Sequence, residues 1–270
     1  MNKLTVFYDH VRNACKQTGL TLEEVAEKIV TAGVTGSEIE YIELVGEEGK
    51  RLADKLASLG MPVSSVYCHF RWELEEPAQN YIEVLSRLQS LGIHYLLAIP
   101  GFKLPGQDSL ASRQMLLPHL QKLCEVAGDY GVQVLMEDFD DEPASFGTSD
   151  EVKWYMDNVP ELGCAFDTGN FYYFDDDVLE AYDKLKDKIV YVHCKDRSIT
   201  PVDGADFKPT ISGISMYASA VGSGVIPMTE VLSKILDAGY EGPLAIEHFG
   251  SLKQLDDILA STKYLKSLIR

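Results

Sequence analysis

Eight short apolar runs rich in Val, Ile, Leu and Tyr recur along this chain, and each is followed by a stretch at helical spacing. The runs are Leu4 to Tyr8, Ile39 to Leu44, Val63 to Tyr67, His94 to Ile99, Val132 to Met136, Gly163 to Asp167, Ile189 to His193 and Leu244 to Glu247. The helical stretches are Leu22 to Thr31, Glu47 to Ser58, Ala78 to Leu91, Leu110 to Asp129, Asp150 to Asn158, Asp177 to Lys186, Met228 to Ala238 and Leu252 to Leu268. This strict alternation predicts an α/β chain folded as a (β/α)8 TIM barrel, a single domain over residues 1–270. Gly33, Gly60, Gly92, Gly131, Gly239 and Gly242 fall where helices must stop before the next strand, and Thr21 with Glu24 fits a capping box. A doubly wound open sheet is the rival, but it needs a Gly-rich turn after its first strand, and Tyr8 to Arg12 has no glycine.

Charge and cysteine usage narrow the partners. With Lys+Arg 24 against Asp+Glu 42, the net charge of -18 repels phosphate backbones and anionic lipid, so neither nucleic acid nor a membrane surface is expected. Cys15, Cys68, Cys124, Cys164 and Cys194 are odd in number and lack zinc-finger spacing, which fits a reduced, cytoplasmic setting. The opening residues reach Asp9, His10 and Arg12 before any signal-peptide core, and no run approaches a membrane span.

In such a barrel the strands' carboxyl ends form the catalytic face. Glu137, Asp167, His193 and Glu247 each close one of the last four runs. Any one alone reads as a polar strand end paired with a loop. Together they place three carboxylates and an imidazole around one point, and carboxylates so close stay ionised only beside positive charge. A divalent cation supplies it; the donor set suits Mn²⁺, Mg²⁺ or Co²⁺ and is open to Zn²⁺. The irregular, glycine-punctuated stretch 197–227 follows the seventh run, so it is expected as a long loop over the catalytic face. Trp72, Tyr172, Tyr173 and Phe174 are read as exposed aromatics near the mouth, serving either a substrate pocket or a homo-oligomer contact.

The segments MEDF, FDTGN, VHCKD and AIEHFG resemble the four metal-binding motifs of the xylose isomerase-like sugar isomerases and epimerases, and VGSGVIP resembles their Gly-x-Gly segment. The resemblance implies that Glu137, Asp167, His193 and Glu247 hold one divalent ion, that Glu137 and Glu247 double as acid and base, and that Arg197 contacts substrate oxygens. Many members read Asp-x-Gly-His where this chain reads Asp167-Thr168-Gly169-Asn170; Asn170 can hydrogen-bond a sugar hydroxyl but carries no proton. Glu43 is placed like a supporting glutamate of the family. His69 is selected among the strand-end histidines as a substrate contact, whereas His10 and His248 read as satisfied structural groups. Lys195 and Lys103 lack the glycine amides of a phosphate site.

These features point first to a metal-dependent isomerase or epimerase of a small sugar, working by proton transfer through an enediolate. Strands five and eight lie three apart around the ring, which brings Glu137 and Glu247 to the substrate from different sides. Dehydration of an inosose or keto acid would use the same groups. A non-catalytic sugar-binding module is the reading from a different class.

Overall fold

Parallel pairing runs around the chain and closes on itself. In the computed structural model, which describes residues 3–76 and 78–269, the barrel strands are β1 (Leu4–Phe7), β2 (Val34–Glu40), β3 (Val63–His69), β4 (Tyr95–Ile99), β5 (Gln133–Met136), β6 (Gly163–Asp167), β7 (Ile189–Ser198) and β10 (Leu244–Glu247). Neighbours pair in parallel, and β10 bonds both β7 and β1, so the eight strands form a closed (β/α)8 barrel. Helices α1 (Tyr8–Thr18), α2 (Leu22–Ala32), α3 (Gly46–Ser58), α4 (Tyr81–Leu91), α5 (Ser109–Ala127), α6 (Ser149–Asn158), α7 (Val178–Leu185), α8 (Met228–Asp237) and α9 (Gln254–Leu268) surround it. The capping box at Thr21 forms as expected, with the Glu24 N–H donating to Oγ1 at 3.3 Å and the Thr21 N–H donating to Glu24 Oε2 at 2.8 Å.

Three sequence expectations need correction. The first run ends at Phe7, because Tyr8 already begins α1, a helix without a side-chain cap at its start and so without the usual entry signal. The second strand is Val34–Glu40 rather than Ile39 to Leu44, and Tyr41–Leu44 is a 3₁₀ turn. Gly36 makes that strand look like a turn in sequence, yet a Cβ there would lie 2.2 Å from Ser64 Oγ, so glycine permits the strands' close approach. Stretch 197–227 is no irregular loop throughout: β7 runs on to Ser198, and β8 (Lys208–Pro209) pairs antiparallel with β9 (Ser215–Ser219), which returns against β7.

Two apolar layers hold the barrel. The larger lies between strands and helices and includes Val6, Ile39, Val66, Leu96, Phe166 and Ile246. The smaller fills the barrel interior with Phe7, Leu97, Leu135, Ala165, Tyr191 and Ala245. The inner layer is a floor, and Glu137, Asp167, His193 and Glu247 sit above it, toward the strands' carboxyl ends. Among the described residues no helix is long and apolar enough to cross a membrane.

Candidate active site

Period-two alternation on β7 sets the site's vertical order. Tyr191 belongs to the floor, and His193, Lys195 and Arg197 follow on the same inner face, all buried. Asp167 pairs in register with His193, and Glu247 with Lys195. Glu137 immediately follows β5. Glu137, Asp167, His193 and Glu247 are thereby brought together, each offering a ligand atom within 4.8 Å of the others.

Their neighbours orient these donors. Asp167 Oδ1 accepts the Gly169 N–H at 2.7 Å and the Asn170 N–H at 2.9 Å, which leaves Oδ2 buried and without a hydrogen bond. Glu247 Oε2 is likewise orphaned. His193 Nδ1 lies 2.8 Å from Glu137 Oε2 and 3.4 Å from Glu247 Oε2, whereas its Nε2 lies 3.3 Å from Glu38 Oε2. Two orphaned carboxylate oxygens facing an imidazole nitrogen are what a bound divalent cation would satisfy, so these residues fit the group.

Burial and neighbouring charge shift these groups in different directions. Burial raises Glu137 above the usual carboxylate range and pushes Asp167 up to about 8, against the pull of His193 and Lys195. Burial also opposes ionisation of Glu247, but the Lys195 ammonium 2.5 Å from its Oε1 holds it below the ordinary value. Burial works against a charged His193, and Glu38 and Glu137 outweigh it, so the imidazole's pKa stands well above normal.

Above the cluster opens a cavity of about 500 Å³. Phe7, Leu97, Ile99, Phe139 and Phe249 give it apolar walls, and Glu40, Tyr67 and His69 line it from β2 and β3. Phe207, Lys208, Met216 and Ala218 of the β8–β9 excursion also line it. Arg197 and Lys208 share Asp140, with Lys208 Nζ 3.1 Å from Oδ1, and Arg197 Nε is buried without a partner. Burial tends to raise Asp140, but Lys195, Arg197 and Lys208 hold it below its ordinary value.

Of the other residues singled out in sequence, Arg197, Asn170 and His69 line this cavity. Glu43 is not among the lining residues; it lies on the 3₁₀ turn after β2 and pairs with Arg12 at 2.5 Å. The misplaced second strand hid the carboxylates that do reach inward, Glu38 beside His193 and Glu40 in the cavity wall. Trp72 and Tyr173 are buried instead of exposed, and Trp72 stacks between Phe70 and His119. His10 and His248 stack at 4.9 Å, with the His248 N–H donating to His10 Nε2 at 3.0 Å. His10 Nδ1 and His248 Nε2 are buried without a hydrogen bond, so neither ring is fully satisfied as the sequence reading expected.

The profile described as xylose isomerase-like TIM barrel matches residues 26–268. The chain belongs to the xylose isomerase-like TIM barrel family. A 3-dehydroshikimate dehydratase of Pseudomonas putida is 25% identical over 243 residues, 85% of this chain but 36% of that protein, so the chain spans about a third of that relative's length. The D-psicose 3-epimerase structure from Clostridium cellulolyticum H10, with D-tagatose, superposes at TM-score 0.75 with 16% identity over 99% of this chain and 100% of the other. A xylose isomerase-like TIM barrel protein from Mycobacterium smegmatis in complex with magnesium superposes at 0.66, with 19% identity over 91% and 86%.

Proposed function

We propose that this family member is a metal-dependent isomerase or epimerase of a small polyoxygenated substrate, moving a proton next to a carbonyl. The observation that carries the reading is the buried set Glu137, Asp167, His193 and Glu247, with two carboxylate oxygens left unsatisfied beneath an open cavity. A divalent ion held by these four residues would supply positive charge where substrate oxygens become negative. Glu137 and Glu247 are the acid–base pair: one carboxylate takes the C–H proton and the other returns one, from strands on different sides of the ring. Arg197, Asn170 and His69 orient the substrate from the cavity wall.

One observation favours a second reading, dehydration of a carboxylate-bearing keto substrate. Arg197 and Lys208 line the cavity and share the single carboxylate of Asp140, which leaves one positive charge in excess and a buried Arg197 Nε–H unpaired. A substrate carboxylate would meet both where a neutral sugar would not. The 25% identical relative is a dehydratase. Incubation of the Mn²⁺-loaded protein with D-allulose, D-tagatose and 3-dehydroshikimate distinguishes the two. An epimerised ketose supports the first reading, and a new conjugated chromophore from 3-dehydroshikimate supports the second. Identical turnover after exhaustive chelation would contradict both.

A further inference from the structure

We infer that Lys195, its main chain held by Thr168 and Gly169 and its ammonium by Asn170, is a catalytic residue that donates a hydrogen bond to the substrate oxygen that becomes negative. The inference rests on the proton-transfer reading above. Lys195 sits one inward step above His193 on β7 and lines the cavity. Its Nζ lies 2.5 Å from Glu247 Oε1 and 2.7 Å from Asn170 Oδ1, whereas Asp167 Oδ2 is 3.6 Å away, beyond a hydrogen bond. An ammonium has three N–H donors. Two are engaged, and one remains for a ligand.

The three residues after Asp167 all serve this lysine. Thr168 Oγ1 accepts the Lys195 N–H at 2.9 Å and donates to its carbonyl at 2.9 Å. A Cβ at Gly169 would lie 2.6 Å from the Lys195 carbonyl oxygen, so only glycine allows that approach. Asn170 donates Nδ2–H to the Asp138 carbonyl at 2.9 Å, which fixes its amide with Oδ1 toward Nζ. A lysine present merely to balance buried carboxylates needs none of this. Main chain and tip are both held, as a preorganised donor must be.

In the proposed step a site carboxylate takes the proton from the substrate carbon. The C–H electron pair becomes the C=C bond, and the carbonyl π pair moves onto oxygen. Lys195 N–H bonds to that oxyanion and neither gains nor loses a proton. Reprotonation at carbon reverses the electron flow.

Lys195→Met keeps the length and removes the donor. Mn²⁺ affinity by titration calorimetry should stay at the wild-type level or tighten, because a cation beside the ligands is gone. Solvent-deuterium exchange into D-allulose, D-tagatose or 3-dehydroshikimate should fall about 10²–10³-fold in kcat, the scale of one lost oxyanion donor, with KM little changed. Asn170→Ala should lower kcat in the same direction while leaving Mn²⁺ affinity unchanged, the mark of a residue positioning Lys195, and the substrate contact it makes from the cavity wall should show separately as a raised KM. Mn²⁺-loaded Lys195→Met exchanging within about threefold of wild type overturns the inference. Should that variant not fold, Lys195→Cys alkylated with 2-bromoethylamine restores an amine of similar reach. Recovery relative to unalkylated protein, with wild type treated alike, supports the role, and no recovery overturns it. Wild type exchanging none of the three probes removes the proton-transfer reading and this inference together. Wild-type exchange beside an undiminished variant removes the inference alone.

Discussion

Glu38 faces Nε2 of His193 at 3.3 Å, and that contact leaves Nδ1, the other ring nitrogen, turned toward Glu137 and Glu247. Phe7 and Tyr191 meet the imidazole edge-on at 5.1 and 5.6 Å, so the ring has little room to turn. A carboxylate on the far side of a ligating histidine fixes its orientation and raises its basicity. Glu38→Leu should therefore weaken Mn²⁺ binding about 10–100-fold, and Glu38→Gln, which still offers an acceptor, should weaken it less. Titration calorimetry on folded variants checks the order; equal affinity in Glu38→Leu would contradict it.

Chelation should lower the thermal midpoint, since orphaned Asp167 Oδ2 and Glu247 Oε2 lose the charge that offsets their burial. Re-addition of Mn²⁺, Mg²⁺, Co²⁺ or Zn²⁺ should restore it. Differential scanning fluorimetry across those ions makes the comparison, and a midpoint indifferent to all of them would count against a cation here.

Without a cation the pH dependence has a definite sign. Burial places Asp167 at about 8 in the folded chain, whereas an unfolded aspartate titrates near about 3.9. Between those values the unfolded state binds fewer protons than the native state. This contribution is therefore complete below about pH 4 and is lost as pH rises to about 8. The raised His193 acts with the same sign, because it too loses its folded-state advantage as pH rises through its elevated pKa. Because the lowered His10, His69 and His248 act with the opposite sign up to about pH 6.5, the window that isolates the cluster lies above it. Chelated protein melted from about pH 7 to 9 should lose stability upward, and Mn²⁺-loaded protein should lose less. A rise in stability with pH in the chelated sample would contradict the electrostatics.

The cavity wall from the β8–β9 excursion is anchored at one residue. Asp196 accepts the N–H groups of Arg197, Gly222, Gly224 and Ile226, which ties both ends of the excursion together. Asp196→Ala strands those donors at about 1–3 kcal/mol for each one that stays buried. It should lower the melting point and expose 197–227 to protease. Unchanged limited proteolysis would show that the excursion is held in some other way.

The four residues of the cluster were legible because each terminates an apolar run, and a strand's end is where a barrel presents its chemistry. Glu38 was not, because β2 reads Val-Thr-Gly-Ser-Glu-Ile-Glu, a polar, glycine-broken segment whose strand character comes from pairing with β1 and β3. Glu43 drew attention through that misplaced boundary and through its likeness to a supporting glutamate of the family. Helix α1 escaped notice for want of a capping signal, and the β8–β9 hairpin because two residues opposite five carry almost no periodicity. Lys195 was recoverable: Tyr191, His193, Lys195 and Arg197 recur at every second position of one strand.

The central claim, acid–base catalysis by Glu137 and Glu247, is tested most directly by following solvent deuterium into substrate by NMR with Mn²⁺-loaded Glu137→Gln and Glu247→Gln. Each variant keeps a carbonyl oxygen for the ion but loses the basic carboxylate. Wild type should incorporate deuterium at a single carbon next to the carbonyl. Each variant should convert substrate at least about 10²-fold more slowly. In an epimerase, one variant should still wash deuterium into one epimer and the other variant into the opposite epimer. Wild-type rates in both variants with Mn²⁺ bound would contradict the account.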